Sequence, residues 1–233
     1  MDTNNPIYVA VDSDVLRFLT ELNWELKRNS AFNTMSSDNK LIREYGGYLR
    51  TLLEKIKNDE IRIVVPTMVF SEVKNRPDCL SFIKDYCYCP DINMLNFYKR
   101  MEEIDKIARE YCSRTYTIKG KTYYPPMHVV SNATDIVQRP SLDAYIMAEA
   151  TYENLILVTA NGKDFIFDRN VSTDKNSKAA GIYQINMSLG YADDQGNCPK
   201  PMYLPVFGAL LKDLEHFRTT VPTKVVKVGD LEI

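Results

Sequence analysis

Short apolar runs bounded by polar residues recur along this chain. Ile7 to Val11 (IYVAV), Ile61 to Val65 (IRIVV) and Leu155 to Val158 (LILV) are β-rich and do not alternate. Such runs suit strands buried on both faces, as in a parallel sheet. Between them, apolar residues return at three- and four-residue steps. Val15, Leu16, Leu19, Leu22 and Leu26 predict a helix from Val15 to about Lys27. Leu41, Tyr45, Tyr48, Leu49, Leu52 and Ile56 predict another over Lys40 to Lys57. The polar, breaker-rich stretch Asn29 to Asn39 reads as the loop between them. Pro66-Thr67 ends the second strand, and Thr67 is the expected N-cap of a short helix carrying Val69, Phe70 and Val73.

The second half is less regular. Arg76 to Pro90 supports no single assignment. The longest helical pattern runs from Ile92 to Tyr111, through Leu95, Tyr98, Met101, Ile104, Ala108 and Tyr111. Alternation around Lys119-Gly120 predicts a small hairpin. Residues 127–140 read as an ordered loop feeding a helix that starts near Ser141. Gly181 to Ile185 reads as a strand, Asn186 to Pro205 as a long loop, Val206 to His216 as a last helix, and Val225 to Val228 as a terminal strand. Strands alternating with helices imply an α/β fold with a mostly parallel central sheet. Its ligand crevice would lie at the C-terminal strand ends, where strand order reverses.

Composition narrows the partners. A net charge of −2 and a pI near 5.8 exclude the broadly basic footprint of a strong duplex-DNA binder. Local Lys/Arg clusters can still hold phosphates. No apolar run is long enough to span a bilayer, and MDTNNPIYVAV lacks the basic start of a signal peptide. A cytoplasmic, membrane-free protein is therefore expected. Five irregularly spaced cysteines and two distant histidines, His128 and His216, read as reduced thiols without a zinc site.

The candidate chemistry is in the acids. Asp12 and Asp164 fall just past strand ends, Glu72 lies on the helix following a strand, and Asp143 starts a helix. Each alone has an ordinary explanation. Asp143 suits a helix dipole, Glu72 a solvated surface and Asp164 a turn. Asp12, at the end of a buried strand, is hardest to explain that way. Gathered in one crevice, four carboxylates raise one another's pKa unless a cation intervenes. Mg²⁺ or Mn²⁺ prefers such oxygen donors and can activate water for phosphodiester hydrolysis.

Three blocks carry a family resemblance: VAVDSDVL (Val9 to Leu16), VVPTMVFSEV (Val64 to Val73), and SLDAYIMAEATYENLILVTANGKDF (Ser141 to Phe165). The last holds an Asp-Ala-x-Ile helix, a strand and a Thr-x-Asn-x-x-Asp-Phe loop. Together they resemble the PIN-domain nucleases, which include the toxin ribonucleases of bacterial toxin–antitoxin pairs. The resemblance implies a single three-layer α/β/α domain over residues 1–233, with a helical and hairpin insertion at 76–139 and a C-terminal extension at 187–233. It implies metal ligation by Asp12, Glu72, Asp143 and Asp164, with support from Ser13, Thr159 and Asn161. Asp14 stands where Asn is commoner in that family and is either an extra acid or a helix cap. Asp135 is a further nearby acid without a settled place. The implied activity is Mg²⁺- or Mn²⁺-dependent hydrolysis of RNA, with an antitoxin protein and a homodimer as candidate partners.

Two other readings compete. Asp12-Ser13-Asp14-Val15 also resembles the opening motif of haloacid-dehalogenase-like phosphatases, with Asp12 as nucleophile, Asp14 as acid/base, Thr159 as a second motif and Asp193-Asp194 as a late acidic pair. That reading leaves Glu72 and Asp143 unexplained. Alternatively the chain is an inactive scaffold that binds RNA or protein. Asn161-Gly162-Lys163 is not a phosphate-binding loop, because Leu157 stands where the early Gly is required. For RNA contact the sequence offers Lys74, Arg76, Lys99, Arg100, Arg114, Lys119 and Lys121, with Tyr116, Tyr123 and Tyr124 for stacking.

Overall fold

The computed structural model describes residues 6–91, 94–113, 116–118, 121–123, 127–132, 135–161, 202–211 and 224–231. Three strands fall where the apolar runs lie: β1 (Ile7–Val11), β2 (Ile61–Val64) and β8 (Ile156–Thr159). β1 pairs in parallel with β2 on one side and with β8 on the other, at Val9↔Ile63 and Val9↔Ile156. Every residue of β8 is buried, as a central parallel strand requires.

Three more strands complete the sheet. β3 (Cys87–Pro90) runs parallel beside β2, and β9 (Met202–Tyr203) parallel beside β8. β10 (Val225–Lys227) closes the edge, antiparallel to β3. The order is β10-β3-β2-β1-β8-β9. From β1 the chain builds outward to β3, then returns to place β8 on the other flank. The reversal therefore lies between β1 and β8. Segment 76–139 thus supplies β3 to the main sheet, and segment 187–233 supplies β9 and β10.

Helices α1 (Ser13–Arg28) and α2 (Lys40–Lys57) pack together, and α4 (Pro77–Tyr86) packs on α1. A second group joins α3 (Thr67–Val73), α5 (Met94–Ser113) and α6 (Leu142–Tyr152). This α/β arrangement, with a mostly parallel sheet, is compatible with three layers. The helix α2 has the predicted bounds, but Ile42 and Leu53 are buried where Leu41 is half-buried and Tyr48 exposed. Tyr48 instead faces α7 (Leu204–Leu210), where a β-carbon on Gly208 would collide with its ring. Both α2 and α6 end on a residue with positive φ, Asp59 and Asn154. The next N–H in each case, Glu60 or Leu155, donates back five residues to Lys55 or Ala150, at 2.9 Å. Short polar side chains tolerate this left-handed turn, which ends each helix and launches β2 and β8.

Several expectations need correction. Residues 127–140 form a hairpin rather than a loop: β6 (Met127–Asn132) pairs antiparallel with β7 (Asp135–Pro140). The ambiguous stretch 76–90 is α4 followed by β3. Within the expected loop 29–39, Thr34–Ser36 form a short 3-10 helix. The expected loop 186–205 ends in β9 and the start of α7, while Gly181 to Ile185 lies outside the described residues. The smaller hairpin is as expected, β4 (Tyr116–Ile118) against β5 (Lys121–Tyr123). Tyr98, expected on the apolar face of α5, is 75% exposed, while Ile104 and Ala108 are fully buried.

Thr67 does not cap α3, because the cap position is Pro66 and no side chain there accepts a hydrogen bond. The Met68 N–H donates instead to Glu149 Oε2 of α6, at 3.1 Å. Glu149 is buried with Glu153 and Arg100. Arg100 Nε donates to Glu153 at 2.8 Å, and its Nη1 lies 3.2 Å from Glu149 Oε1 without hydrogen-bond alignment. One guanidinium thus joins α5 to α6, and one carboxylate joins α6 to α3. Arg100 is accordingly unavailable for the RNA contact expected of it.

Removing one member of a buried ionic group strands its partners. Arg100→Ala is expected to lower the unfolding free energy in urea by about 3–5 kcal/mol. A loss below about 1 kcal/mol, the value of a solvent-screened pair, would contradict this account.

Candidate functional site

Asp12 follows β1 directly and is the N-cap of α1. Its backbone N–H extends the ladder by donating to the Val158 carbonyl at 3.2 Å. Its side chain is 3% exposed. One carboxylate oxygen accepts the Val15 N–H at 2.7 Å, satisfying an otherwise orphaned helix donor. The other accepts the hydroxyl of Thr159, the last residue of β8. Thr159 in turn accepts the Asn161 N–H at 2.8 Å. The end of β1, the start of α1 and the loop leaving β8 are thus fastened through one carboxylate.

Asp12, Asp14, Glu72 and Asp143 line a single open cavity of about 380 Å³. They come from three distant parts of the chain. Asp14 is in the first turn of α1, Glu72 near the end of α3, and Asp143 in the first turn of α6, which Ser141 caps through the Ala144 N–H at 3.2 Å. Ser13 and Asn161 line the same cavity, and the Ser13 hydroxyl donates to Glu72 across the gap between α1 and α3. Asp164 lies outside the described residues. Asp135 opens β7, paired with Asn132. Four of the sequence-derived acids, and the supporting residues Ser13 and Asn161, therefore meet in one place, with Thr159 directly behind Asp12.

No family model, curated protein or solved structure matches this chain.

Two cavity residues were not singled out as companions of the acids. Arg17 pairs with Asp14 at 3.3 Å, and Arg76 with Asp78 at 3.8 Å. Arg17 follows Asp14 by three positions, the spacing that puts two residues on one helix face, so its place beside that acid was legible. Arg76 was expected among the cations available for RNA contact, not beside the acids. Four carboxylates face two guanidiniums, so negative charge is in excess in the cavity.

Burial is the dominant influence on Asp12. It pushes the carboxyl from an ordinary 3.8 to about 7, with Asp14 adding repulsion and the hydrogen bonds from Thr159, Val15 and Asn161 opposing the rise. A carboxylate of this kind is uncomfortable at neutral pH without a cation. All the acidic donors are hard oxygens, as Mg²⁺ and Mn²⁺ require. Among the described residues, no three His, Cys, Asp or Glu side chains are arranged to hold a metal ion together.

The raised Asp12 pKa has a definite sign. The folded state keeps a proton that the unfolded chain has released, so this group's contribution to stability is full below about pH 4. It is lost as pH rises through about 7, by on the order of 4 kcal/mol. Asp12→Asn removes the charge, keeps an oxygen to accept the Val15 N–H, and turns an amide N–H to donate to the Thr159 oxygen. In EDTA, the variant's urea stability relative to the parent is expected to grow by that amount between pH 4 and pH 8. A difference independent of pH would contradict the assignment.

Proposed function

We propose that this chain is a divalent-metal-dependent endoribonuclease of PIN type, hydrolysing phosphodiester bonds in single-stranded or structured RNA. The observation that carries the reading is the meeting of Asp12, Asp14, Glu72 and Asp143 in one cavity at the strand-order reversal. Ligand crevices of open α/β sheets lie at such a reversal. The three sequence blocks that resemble PIN nucleases supply these acids, together with Ser13, Thr159 and Asn161.

Asp12, Glu72 and Asp143 are the residues proposed to hold Mg²⁺ or Mn²⁺, with Asp14 adding negative charge and Asp164 joining them by the resemblance alone. The bound ion would lower the pKa of its water and stabilise charge on the phosphate. The chain's own groups orient that apparatus. Thr159 and the Val15 N–H fix the Asp12 carboxylate in one plane, and Ser13 steadies Glu72. Glu149 anchors the start of α3, which carries Glu72, to α6, which carries Asp143. A toxin role, an antitoxin partner and a homodimer remain extensions of this reading, carried by the resemblance alone. No helix among the described residues is long and apolar enough to cross a membrane.

The phosphatase alternative uses Asp12, Asp14 and Thr159, and its acidic pair Asp193-Asp194 lies outside the described residues. It gives no task to Glu72 or Asp143, although both line the cavity.

Asp143→Asn is expected to lower Mn²⁺-dependent RNA cleavage by about 100-fold or more, as loss of a metal-shell group does, while leaving the melting temperature within a few degrees. Undiminished cleavage would overturn the site. Turnover of p-nitrophenyl phosphate without RNA cleavage, abolished by Asp12→Asn, would favour the phosphatase.

A further inference from the structure

The acids account for only one sign of charge in the cavity. Arg17 and Arg76 line it as well, from the first half of α1 and from the turn between α3 and α4. Both side chains are close to half exposed. Their ion pairs, with Asp14 at 3.3 Å and Asp78 at 3.8 Å, are longer than charge-assisted hydrogen bonds, which run at about 2.7–2.9 Å. Each guanidinium has five N–H donors in a planar fork. Each therefore retains donors for an anion. Arg76 is also held in place by its backbone, whose N–H donates to the Val73 carbonyl at 2.9 Å.

The Asp78 that pairs with Arg76 is not among the residues lining the cavity. Charge neutralisation of the cavity acids thus does not explain why Arg76 is there. A polar cavity with carboxylates and guanidiniums together suits a ligand that is itself of two parts, a cation and a phosphate chain. The planar fork matches two phosphate oxygens, and Arg is favoured wherever such bidentate recognition matters.

The geometry points to Arg17 and Arg76 as a phosphate clamp that positions the RNA backbone over the cavity acids. This rests on the nuclease reading and adds to it the residues that hold substrate. They are positioning residues, contacting phosphates and not the metal. They carry no base selectivity, because phosphate contacts fix register without reading sequence.

The test measures binding and metal response separately. A short fluorescein-labelled single-stranded RNA is titrated with the full chain in Ca²⁺, followed by anisotropy at several salt concentrations. Arg17→Gln with Arg76→Gln is expected to weaken binding at least about tenfold and to flatten the log K against log salt slope by about 0.7 per lost contact. Arg→Lys at both positions should recover part of the affinity. Lys84→Gln, which removes an exposed cation outside the cavity, should have a distinctly smaller effect. The rise in melting temperature on adding Mn²⁺ should be the same in the double Gln variant as in the parent.

An unchanged affinity and salt slope in the double variant, with the parent binding and cutting RNA, would overturn the clamp and leave the nuclease reading intact. An equal loss in Lys84→Gln would reduce the effect to general charge and overturn the clamp also. Loss of the Mn²⁺ response would show that the arginines serve the carboxylates instead. A parent chain that neither binds RNA nor responds to Mn²⁺ would remove both the clamp and the nuclease reading.

Discussion

The buried carboxylate of Asp12 is the constraint on which the site depends. It stands where a largely buried parallel strand ends and a helix begins. The helix requires an acceptor at its first turn, and β8 delivers a hydroxyl from Thr159 to the same side chain. An asparagine or serine could satisfy that helix start equally well. The acid is therefore more than a cap. It brings a carboxyl into a place where burial opposes its charge, a cost that the proposed cation would relieve.

The remaining acids are held in relation to Asp12 by a second buried polar group. Arg100, Glu149 and Glu153 lie under the surface where α5 crosses α6. Glu149 also accepts from the first turn of α3. The start of the helix that carries Glu72 is consequently joined to the second half of the helix that carries Asp143, while Ser13 reaches Glu72 from the side of Asp12. Packing on α6 reinforces this connection. That helix is apolar on nearly every side, because it lies against α3, α5 and β8. Ile104 and Ala108 of α5 meet Ala148 there in a small second core.

Local signals made much of this arrangement legible. The apolar runs of β1, β2 and β8, the periodicity of α2, and Ser141 before α6 each depend on neighbours within a few residues. Asp12, Asp14 and Asp143 were readable because they sit at a strand end or a helix start, and Glu72 because it lies on the short helix that follows β2. The hairpin of β6 and β7 was not. Its apolar residues come in adjacent pairs, Val129-Val130 and Ile136-Val137, so no alternation marks it, and its turn lacks glycine. Arg100 and Glu149 were equally hidden, since a charged residue on a helix ordinarily faces water. Their meaning lies in contacts far apart in sequence. The strongest available hint was Glu149 with Glu153, one turn apart on an otherwise apolar helix. Arg76 was offered for RNA contact but not placed beside the acids, because its position in the cavity depends on the turn that ends α3.

The central claim is that the buried acid and its neighbours form a site completed by a divalent cation. Calorimetric titration with Mn²⁺ at pH 7, in buffers of different ionisation heat, tests it most directly. The account predicts one Mn²⁺ bound per chain, with about half a proton released from Asp12 as the ion displaces it, and less released as pH rises. Absence of binding at millimolar Mn²⁺, or binding with no proton release and no response to Asp12→Asn, would contradict it.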